Sequence, residues 1–593
     1  MGRTGSISTR RKQLGDRGAL IQTGPPLDPR PGRSTVALLN ANPFSWGVAN
    51  LGWQCLTEYL LDREINVLLA FADTLGRQGR TFLNGPPHPD AVDVIAITVP
   101  FEDTYLNVLR MLRAAGLPVL ARDRGDELPL VVLGGMSMIN PIPLEEFADA
   151  VVIGEGREAM HAIVTHRAAW RASGRHFDKR AYLFEIAQLP GVYVPSHYDI
   201  HLDDDGYVDR FTCRNGRPAV EANVVLDLTR YPITSKWTSG YALYEHDDYF
   251  SVMAAMGCHK KCPFCVVGHV QGSQSGRAVT IDVDAILELA LRRRAEYGTN
   301  LVKIFFSSAF SPDDGDINAR AIKELLQSLH RHGFSARVGS LNVKQADAEL
   351  FQLVHAVGQQ EVTFAPETVE ELRPSLGKAY ITDEKLLELA HLAGRFGLDL
   401  NIYSLGSLPG ETDRHTRAFA SLIRSLRQAQ GDSGTVYVHY NPAFMKAQTP
   451  YEYLGNTRPA EARRKYRILR GELEGLAGVE YVSVIEDPML FYQPVLALGD
   501  YNASRVLQRL LAQAQPGEDD WQRAFADLGL SDARYFSPKD PTRRLPWEHI
   551  GYVAHEKMKK RAAALMKPGR TLTAADFLDF ELTAAPVPHR PIH

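Results

Sequence analysis

Cysteine is scarce in this chain, with five in 593 residues. A disulfide framework is not expected, because the count is odd, the chain is large and no secretory signal is recognisable. Long apolar runs are missing too. No stretch reaches the roughly 18 apolar residues of a membrane-spanning helix, so no membrane partner is expected. Neither sign of charge dominates: 66 Lys and Arg stand against 70 Asp and Glu, a net −4. That leaves no broad basic field for nucleic acid. The first 33 residues lack the apolar core of a signal peptide. With their Gly, Pro and the run Arg10-Arg11-Lys12 they read as a disordered leader. What remains is ordinary globular composition, 45% apolar and 23% charged, in a chain too long for one core. The sparse cysteines suit a reducing cytoplasm.

Three of the five cysteines fall within eight positions, Cys258-His259-Lys260-Lys261-Cys262-Pro263-Phe264-Cys265. Three thiolates on one tight loop can hold three irons of a four-iron cubane and leave the fourth open to a ligand. Zinc is the rival, with His259 or His269 as a fourth ligand, but such sites usually pair two separated ligand doublets. No second doublet follows here.

Upstream, residues 34–165 alternate apolar strands with helical stretches. Strands are expected at Val36–Leu39, Ile65–Leu69, Val92–Ile97, Leu130–Gly135 and Val151–Gly156. Uninterrupted apolar strands separated by helices predict a doubly wound parallel sheet, and ligands of such sheets bind beyond the strand C-termini. There the sequence offers Asn40 to Gly47, Thr98-Val99-Pro100, Gly134 to Asn140 and Gly154-Glu155-Gly156. Residues 166–247 read as a connector with a hairpin across Asp203-Asp204-Asp205-Gly206. From 248 to 455 six further strands alternate with helices, which predicts a partial TIM-like (β/α)6 barrel with its site at the strand C-terminal ends. Residues 456–593 read as a mainly helical region capping the barrel, with Lys557, Lys559, Lys560 and Arg561 on a solvated face.

The spacing C-x3-C-x2-C with an aromatic before the last Cys resembles the signature of the radical S-adenosylmethionine (SAM) superfamily. Gly134-Gly135-Met136-Ser137-Met138-Ile139-Asn140-Pro141, followed by Phe147 to Gly156, resembles the Rossmann-like cobalamin-binding domain of its cobalamin-dependent, class B methyltransferase-like branch. Further along, Thr363-Phe364-Ala365-Pro366-Glu367, Leu376-Gly377-Lys378, Ser404 to Thr412, and Asn441-Pro442 with Thr449-Pro450 resemble the strand endings of that branch. The likeness runs over about residues 34–550. It departs in two places. The lower-ligand motif D-x-H-x-x-G is absent, since Asp413-Arg414-His415 leads to Ala418. Ser307-Ser308 stands where a Gly-Gly-Glu-like segment usually meets the SAM amino group.

The resemblance implies a [4Fe–4S] cluster on Cys258, Cys262 and Cys265, and SAM at its open iron beside Phe264, Ser307, Ser308 and Glu367. It implies cobalamin near Asn40, Thr98, Val99, Gly134, Gly135, Ser137, Asn140, Gly154, Glu155 and Gly156. Glu367, Tyr403, Tyr437 and His439 are the candidates to line the reaction pocket, Tyr437 and His439 on one strand face and Tyr440 on the other. The implied activity is a cobalamin-dependent radical SAM methyltransferase acting on a carbon of a small molecule or peptide, fed by a flavodoxin- or ferredoxin-type electron donor. A non-methylating cyclisation or rearrangement, a polar methyl transfer and a zinc- or cluster-binding scaffold stay open.

Overall fold

The structure, a computed structural model, describes residues 29–75, 92–225, 227–234, 249–258, 260, 262–270, 279–305, 319–482, 487–551 and 555–566. Most of the expected leader, together with His259, Lys261, Ser307 and Ser308, lies outside them.

Five parallel strands build the N-terminal sheet: β1 (Thr35–Asn40), β2 (Asn66–Phe71), β3 (Val94–Thr98), β4 (Leu130–Gly134) and β5 (Ala150–Val152). They are ordered β2-β1-β3-β4-β5, and a short antiparallel strand β6 (Val192–Tyr193) from the connector closes the far edge. β1 and β2 are buried at every position, as strands covered on both faces must be. Helix Leu51–Leu61 starts where the Asn50 side chain accepts from the Trp53 N–H at 2.9 Å, which satisfies one of the first orphan donors of the helix.

Where β4 ends, Gly135 takes φ 118°, and a Cβ there would stand 2.5 Å from the Val99 carbonyl oxygen. Only glycine fits that close approach. Ser137 and Asn140 bond within the chain. The Ser137 hydroxyl donates to the Val99 carbonyl at 2.7 Å, and the Asn140 amide donates to the Gly499 carbonyl at 2.9 Å.

The connector holds the expected hairpin, β7 (Tyr198–Leu202) against β8 (Val208–Cys213), and then β9 (Val220–Glu221). Next come β10 (Phe250–Met253), the antiparallel pair β11 (Ala255–Met256) and β12 (Val279–Thr280), and the parallel strands β13 (Leu301–Phe305), β14 (Ser335–Val338), β15 (Glu361–Glu367), β16 (Asp399–Gly406), β17 (Val436–Pro442) and β18 (Val479–Val482). They form two parallel sheets, β10-β13-β14 and β15-β16-β17-β18. Across the seam between β14 and β15, the Gln359 side chain stands in for a strand. Its carbonyl accepts from the Val338 N–H at 2.7 Å, and its amide donates to the Val338 carbonyl at 3.2 Å. β18 extends the wall by one strand beyond the six expected, because Val479–Val482 pairs in parallel along β17. Helices such as Arg320–Arg331, Asp383–Phe396 and Asp413–Gln430 pack outside, and one continuous core joins them to the strands.

The region after the barrel departs from the expected cap. Helices Met489–Ala497, Tyr501–Leu510 and Glu518–Asp527 put Phe491, Val495, Val506, Leu507, Trp521 and Phe525 into the core of the N-terminal sheet domain. Their apolar stripes cover the sheet face that holds Ile97, Val131 and Leu133, a face that burial requires to be covered. Among the described residues, helix Pro459–Leu473 packs on the barrel core, and the last helix, His555–Leu565, lies against the turn Pro450–Tyr453. Strand β19 (Ile550–Gly551) pairs in parallel with β9. Among the described residues no helix is long and apolar enough to cross a membrane.

A buried acid lies under this last helix. Glu452 is fully buried and accepts from the Trp547 indole N–H and the Gln448 N–H, both at 2.8 Å. Burial pushes its carboxyl up to about 8 from 4.5. A carboxyl raised on folding binds more protons in the folded state, so the stability it contributes is full below about pH 4.5 and is lost as pH rises through about 8. Glu452→Gln, which keeps an acceptor at that position, is therefore expected to unfold like the wild type near pH 5. It should exceed the wild type by on the order of a few kcal/mol near pH 8.5. Thermal melts at the two pH values check this, and an equal offset at both would refute it.

Candidate active site

The cysteine loop begins directly after β10 and β11, at the C-terminal end of the first barrel strand. Gly257 at φ 83° turns the chain, and the β11–β12 pair closes the loop at its base. Within it the Cys265 N–H donates to the Cys262 carbonyl at 3.1 Å and the Lys260 N–H approaches the Cys258 sulfur at 3.4 Å. Burial pushes the Cys262 thiol up to about 12, Lys378 pulls it down, and the Cys265 and Cys258 thiols push it further up. The three sulfurs thus share one electrostatic neighbourhood. Cys265 is likewise raised by burial, against backbone hydrogen bonds at Val267 and Gly268 that lower it. The imidazole Nε2 of His269 lies 3.0 Å from the Cys262 carbonyl oxygen, so this histidine is turned to the backbone of the loop.

Glu367 closes β15 beside these thiols. A register shift between Phe364 and Glu367 bends the strand end, and Glu367 sits at φ 65°, a left-handed conformation that costs a non-glycine residue about 1 kcal/mol or more. Bulges of this kind re-aim side chains next to active sites. The Glu367 carboxylate, in a residue 9% exposed, pairs with the Lys378 ammonium at 2.6 Å, and the ammonium also donates to the Ala365 carbonyl at 2.7 Å. Burial works to strip the Lys378 proton. Glu367, Cys262 and Tyr380 outweigh it and hold the ammonium above the usual lysine range. Lys378 also stands 5.9 Å from the Phe264 ring centre. Tyr380, pushed up to about 12 by burial and pulled down by Lys378, feels Cys262 and Cys258, and Lys260 lies 4.9 Å over its ring.

Sequence reasoning singled out neither Tyr380 nor Tyr451 and gave Lys378 no role. Tyr451 touches the loop twice: its N–H donates to the Pro263 carbonyl at 3.2 Å, and its ring lies 6.3 Å from that of Phe264. The signal for Lys378 was the string Leu376-Gly377-Lys378. Nothing local marks the two tyrosines.

Tyr403, Tyr437 and His439 belong to a different level of the barrel. Tyr403, 41% exposed, stacks on His439 with ring centres 4.3 Å apart, and the His439 Nε2 lies 3.1 Å from the Asn401 side-chain oxygen. Burial raises Tyr403 and lowers His439, and the charge that acts on both is Glu361, the first residue of β15. Tyr437 is raised by burial and then by Asp399, the first residue of β16, and Glu480. Tyr403 and His439 sit mid-strand and Tyr437 near the start of β17, while Glu367 ends β15 and the cysteines follow β11. Tyr440 faces the other way as expected, buried and donating to Glu411 at 3.1 Å. His415 caps its own helix, its Nδ1 accepting from the Thr412 N–H at 3.0 Å.

In the N-terminal domain, Thr98 and Gly134 are half-buried and Gly135 and Gly154 are exposed at the C-terminal edge of the sheet. Val99 is buried there, and the Glu155 carboxylate pairs with Arg157 at 2.7 Å beside Gly156. The edge also bears two exposed aromatics, Trp46 and Phe101. Asn40, at the end of β1, is buried, and its side-chain N–H2 meets no acceptor among the described residues.

The two C-terminal edges face one another. Glu102, just past β3, accepts from the Lys446 ammonium, just past β17, at 2.7 Å and from the Gln493 amide at 2.8 Å. Gln448 donates to the Ile139 carbonyl at 3.3 Å. Burial and Glu102 push the neighbouring Asp103 up to about 6.

Residues 254–423, which contain the cysteine loop, Glu367 and Lys378, match the family profile described as the radical SAM superfamily. The chain carries a radical SAM domain over those residues. Residues 86–195 match a second profile, described as radical SAM proteins, N-terminal. The radical SAM match thus ends before β17, Tyr451 and the last helix. No curated protein matches the chain. Among solved structures, the radical SAM methyltransferase TsrM from Kitasatospora setae, with cobalamin and a [4Fe-4S] cluster bound, aligns over 84% of this chain and 100% of its own, at 14% identity and a TM-score of 0.48. The cobalamin-dependent SAM radical enzyme OxsB, with aqua-cobalamin and SAM bound, aligns over 84% of this chain and 71% of its own, at 12% identity and a TM-score of 0.47.

Proposed function

We propose that this radical SAM protein is a cobalamin-dependent methyltransferase that transfers a methyl group to a carbon of a small molecule or peptide. The observation that carries the reading is the opposition of two strand-end edges. The barrel edge bears three thiols and a buried Lys–Glu pair, and the facing sheet edge bears open glycines and two exposed aromatics, with Lys446–Glu102 bridging them.

The residues fit the two cofactors. Cys258, Cys262 and Cys265 supply the three thiolates of a site-differentiated cluster, and the buried Asn40 donor at the sheet edge awaits an acceptor. A [4Fe–4S] cluster with SAM supplies radical chemistry there, and cobalamin supplies the methyl carrier. The chain itself binds, orients and excludes water. Lys378 holds the Glu367 carboxylate fixed at the strand end, where it can accept hydrogen bonds from the ammonium or hydroxyl groups of SAM. Phe264 and Tyr451, their ring centres 6.3 Å apart, join the cysteine loop to the turn Pro450–Tyr453. The Tyr403–His439 stack, lower in the barrel, presents an aromatic and a half-buried imidazole to a substrate that reaches down from the edge.

Anaerobic reconstitution with iron, sulfide and hydroxocobalamin should give the absorption of both cofactors in one chain. Methyl-labelled SAM then tests the transfer. Candidate substrates should acquire label at carbon with release of 5′-deoxyadenosine. Absence of label from every product that forms would overturn methyl transfer, and label without 5′-deoxyadenosine would assign the polar route.

A further inference from the structure

Arg373 is completely buried. It sits in the short helix Glu370–Leu376, within the loop that leaves β15 after Glu367 and ends at helix Asp383–Phe396. Burying a guanidinium is unfavourable unless its donors and its charge are met. Here they are met on three sides. The Arg373 Nε donates to the Thr368 carbonyl at 3.0 Å, and one Nη donates to the Ile381 carbonyl at 2.9 Å. The other Nη forms an ion pair with the Asp383 carboxylate at 2.7 Å.

The two carbonyls bracket the Lys378–Glu367 pair. Thr368 directly follows Glu367, so its carbonyl fixes the direction in which the chain leaves the strand end. Glu367 holds φ 65° there, and a conformation of that kind persists only where its surroundings over-determine it. Ile381 closes the turn that begins at Lys378, its N–H donating to the Lys378 carbonyl at 3.0 Å. The Lys378 N–H in turn donates to the Arg373 carbonyl at 2.9 Å. One guanidinium therefore ties the arm that carries Glu367 to the arm that carries Lys378, and closes the loop between them on itself. A lysine could not bridge the same three acceptors. Its ammonium is a single point, whereas the guanidinium presents its donors in a rigid planar fork.

We propose that Arg373 is a positioning residue of the SAM site. Its fork sets Glu367 and Lys378 in register, so SAM binding depends on a side chain buried too deeply to touch SAM itself. This rests on the reading of Glu367 as a SAM contact.

The test uses the full-length, anaerobically reconstituted chain as wild type, Arg373→Lys, Glu367→Gln, the double variant Arg373→Lys/Glu367→Gln and the control Arg414→Gln. Arg414 pairs with Glu371 on the exposed side of the same loop at 2.8 Å. Iron and sulfide are assayed, and the Kd of labelled SAM is measured by equilibrium dialysis per loaded cluster. Arg373→Lys and Glu367→Gln are each expected to load iron and to weaken SAM binding by about tenfold, the worth of one hydrogen bond to a charged group. The double variant should be no weaker than either single variant, because Arg373 acts through Glu367, and Arg414→Gln should match the wild type. A merely structural arginine would lower thermal stability without this non-additivity. Multiplication of the two losses in the double variant overturns the proposal, as does a loaded Arg373→Lys with wild-type affinity. If Arg373→Lys does not fold, Asp383→Asn removes the partner carboxylate and leaves the buried site filled. It is expected to weaken SAM binding by about threefold, and wild-type affinity in that variant overturns the proposal. A wild-type chain that binds no SAM, or a Glu367→Gln variant with undiminished affinity, removes the reading of Glu367 and the inference with it.

Discussion

Replacing Cys258, Cys262 and Cys265 together with Ala is expected to reduce bound iron and sulfide after reconstitution to background while cobalamin absorption persists. No other cysteine can take over. Cys55 is buried and held far above the ordinary thiol range by its burial and by Glu58, and Cys213 lies on β8 in the connector hairpin. The fold should tolerate the change. Cys258 and Cys265 are half-buried, only Cys262 is buried, and removing one buried sulfur costs about 1 kcal/mol. The sheet edge proposed for cobalamin belongs to a separate apolar core, so its ligand should not depend on the thiols. Iron assays and visible spectra on wild type and variant decide the matter. A variant that still loads a full cluster would show that the ligands had been misassigned.

The second large effect concerns the buried pair beneath the loop. Lys378→Met is expected to destabilise the protein by about 3–5 kcal/mol, because it strands the Glu367 carboxylate in a site it cannot leave. Glu367→Gln removes the orphaned charge, so the double variant Lys378→Met/Glu367→Gln should be more stable than Lys378→Met alone. The coupling energy of that cycle should lie between about 0.5 and 3 kcal/mol. Urea denaturation of the four proteins supplies it, and simple additivity would mean that the two groups do not act as a pair. If Lys378 also fixes Glu367 for SAM, the double variant should recover stability without recovering SAM binding. That split distinguishes a positioning role from a merely structural one.

Much of the scaffold could be read from residue order alone. The apolar runs at Val36–Leu39 and Leu130–Gly135 announce buried parallel strands because nothing polar interrupts them, and the clustered cysteines mark a site because the rest of the chain has so few. Partners distant in sequence left no such trace. Arg561 sits in a run of four cations, and helical periodicity does not reveal that it is buried while Lys557 and Lys560 are exposed. Tyr451 follows a Thr-Pro pair that reads as a strand ending, yet its backbone anchors the cysteine loop. Glycine- and serine-rich strand ends look alike whether they receive a cofactor or the chain's own backbone. Gly135 and Ser137 meet Val99, and Gly154 packs on Asn223. β18 was missed because Val479–Val482 is short and half-exposed, without the apolar run that betrays an interior strand.

The joining of β9 to β19, and of helices Met489–Ala497 to Glu518–Asp527 with the first sheet, has a consequence for biogenesis. A ribosome delivers the N-terminal strands long before the residues that finish their core, so the nascent sheet waits with an apolar face uncovered until Trp521 and Ile550 emerge. Such non-local closure slows folding and exposes aggregation-prone surface in the interval. Expression of the first half by itself should therefore yield insoluble or chaperone-bound material, and slower translation or added chaperones should improve the yield of the whole chain more than added cofactor does.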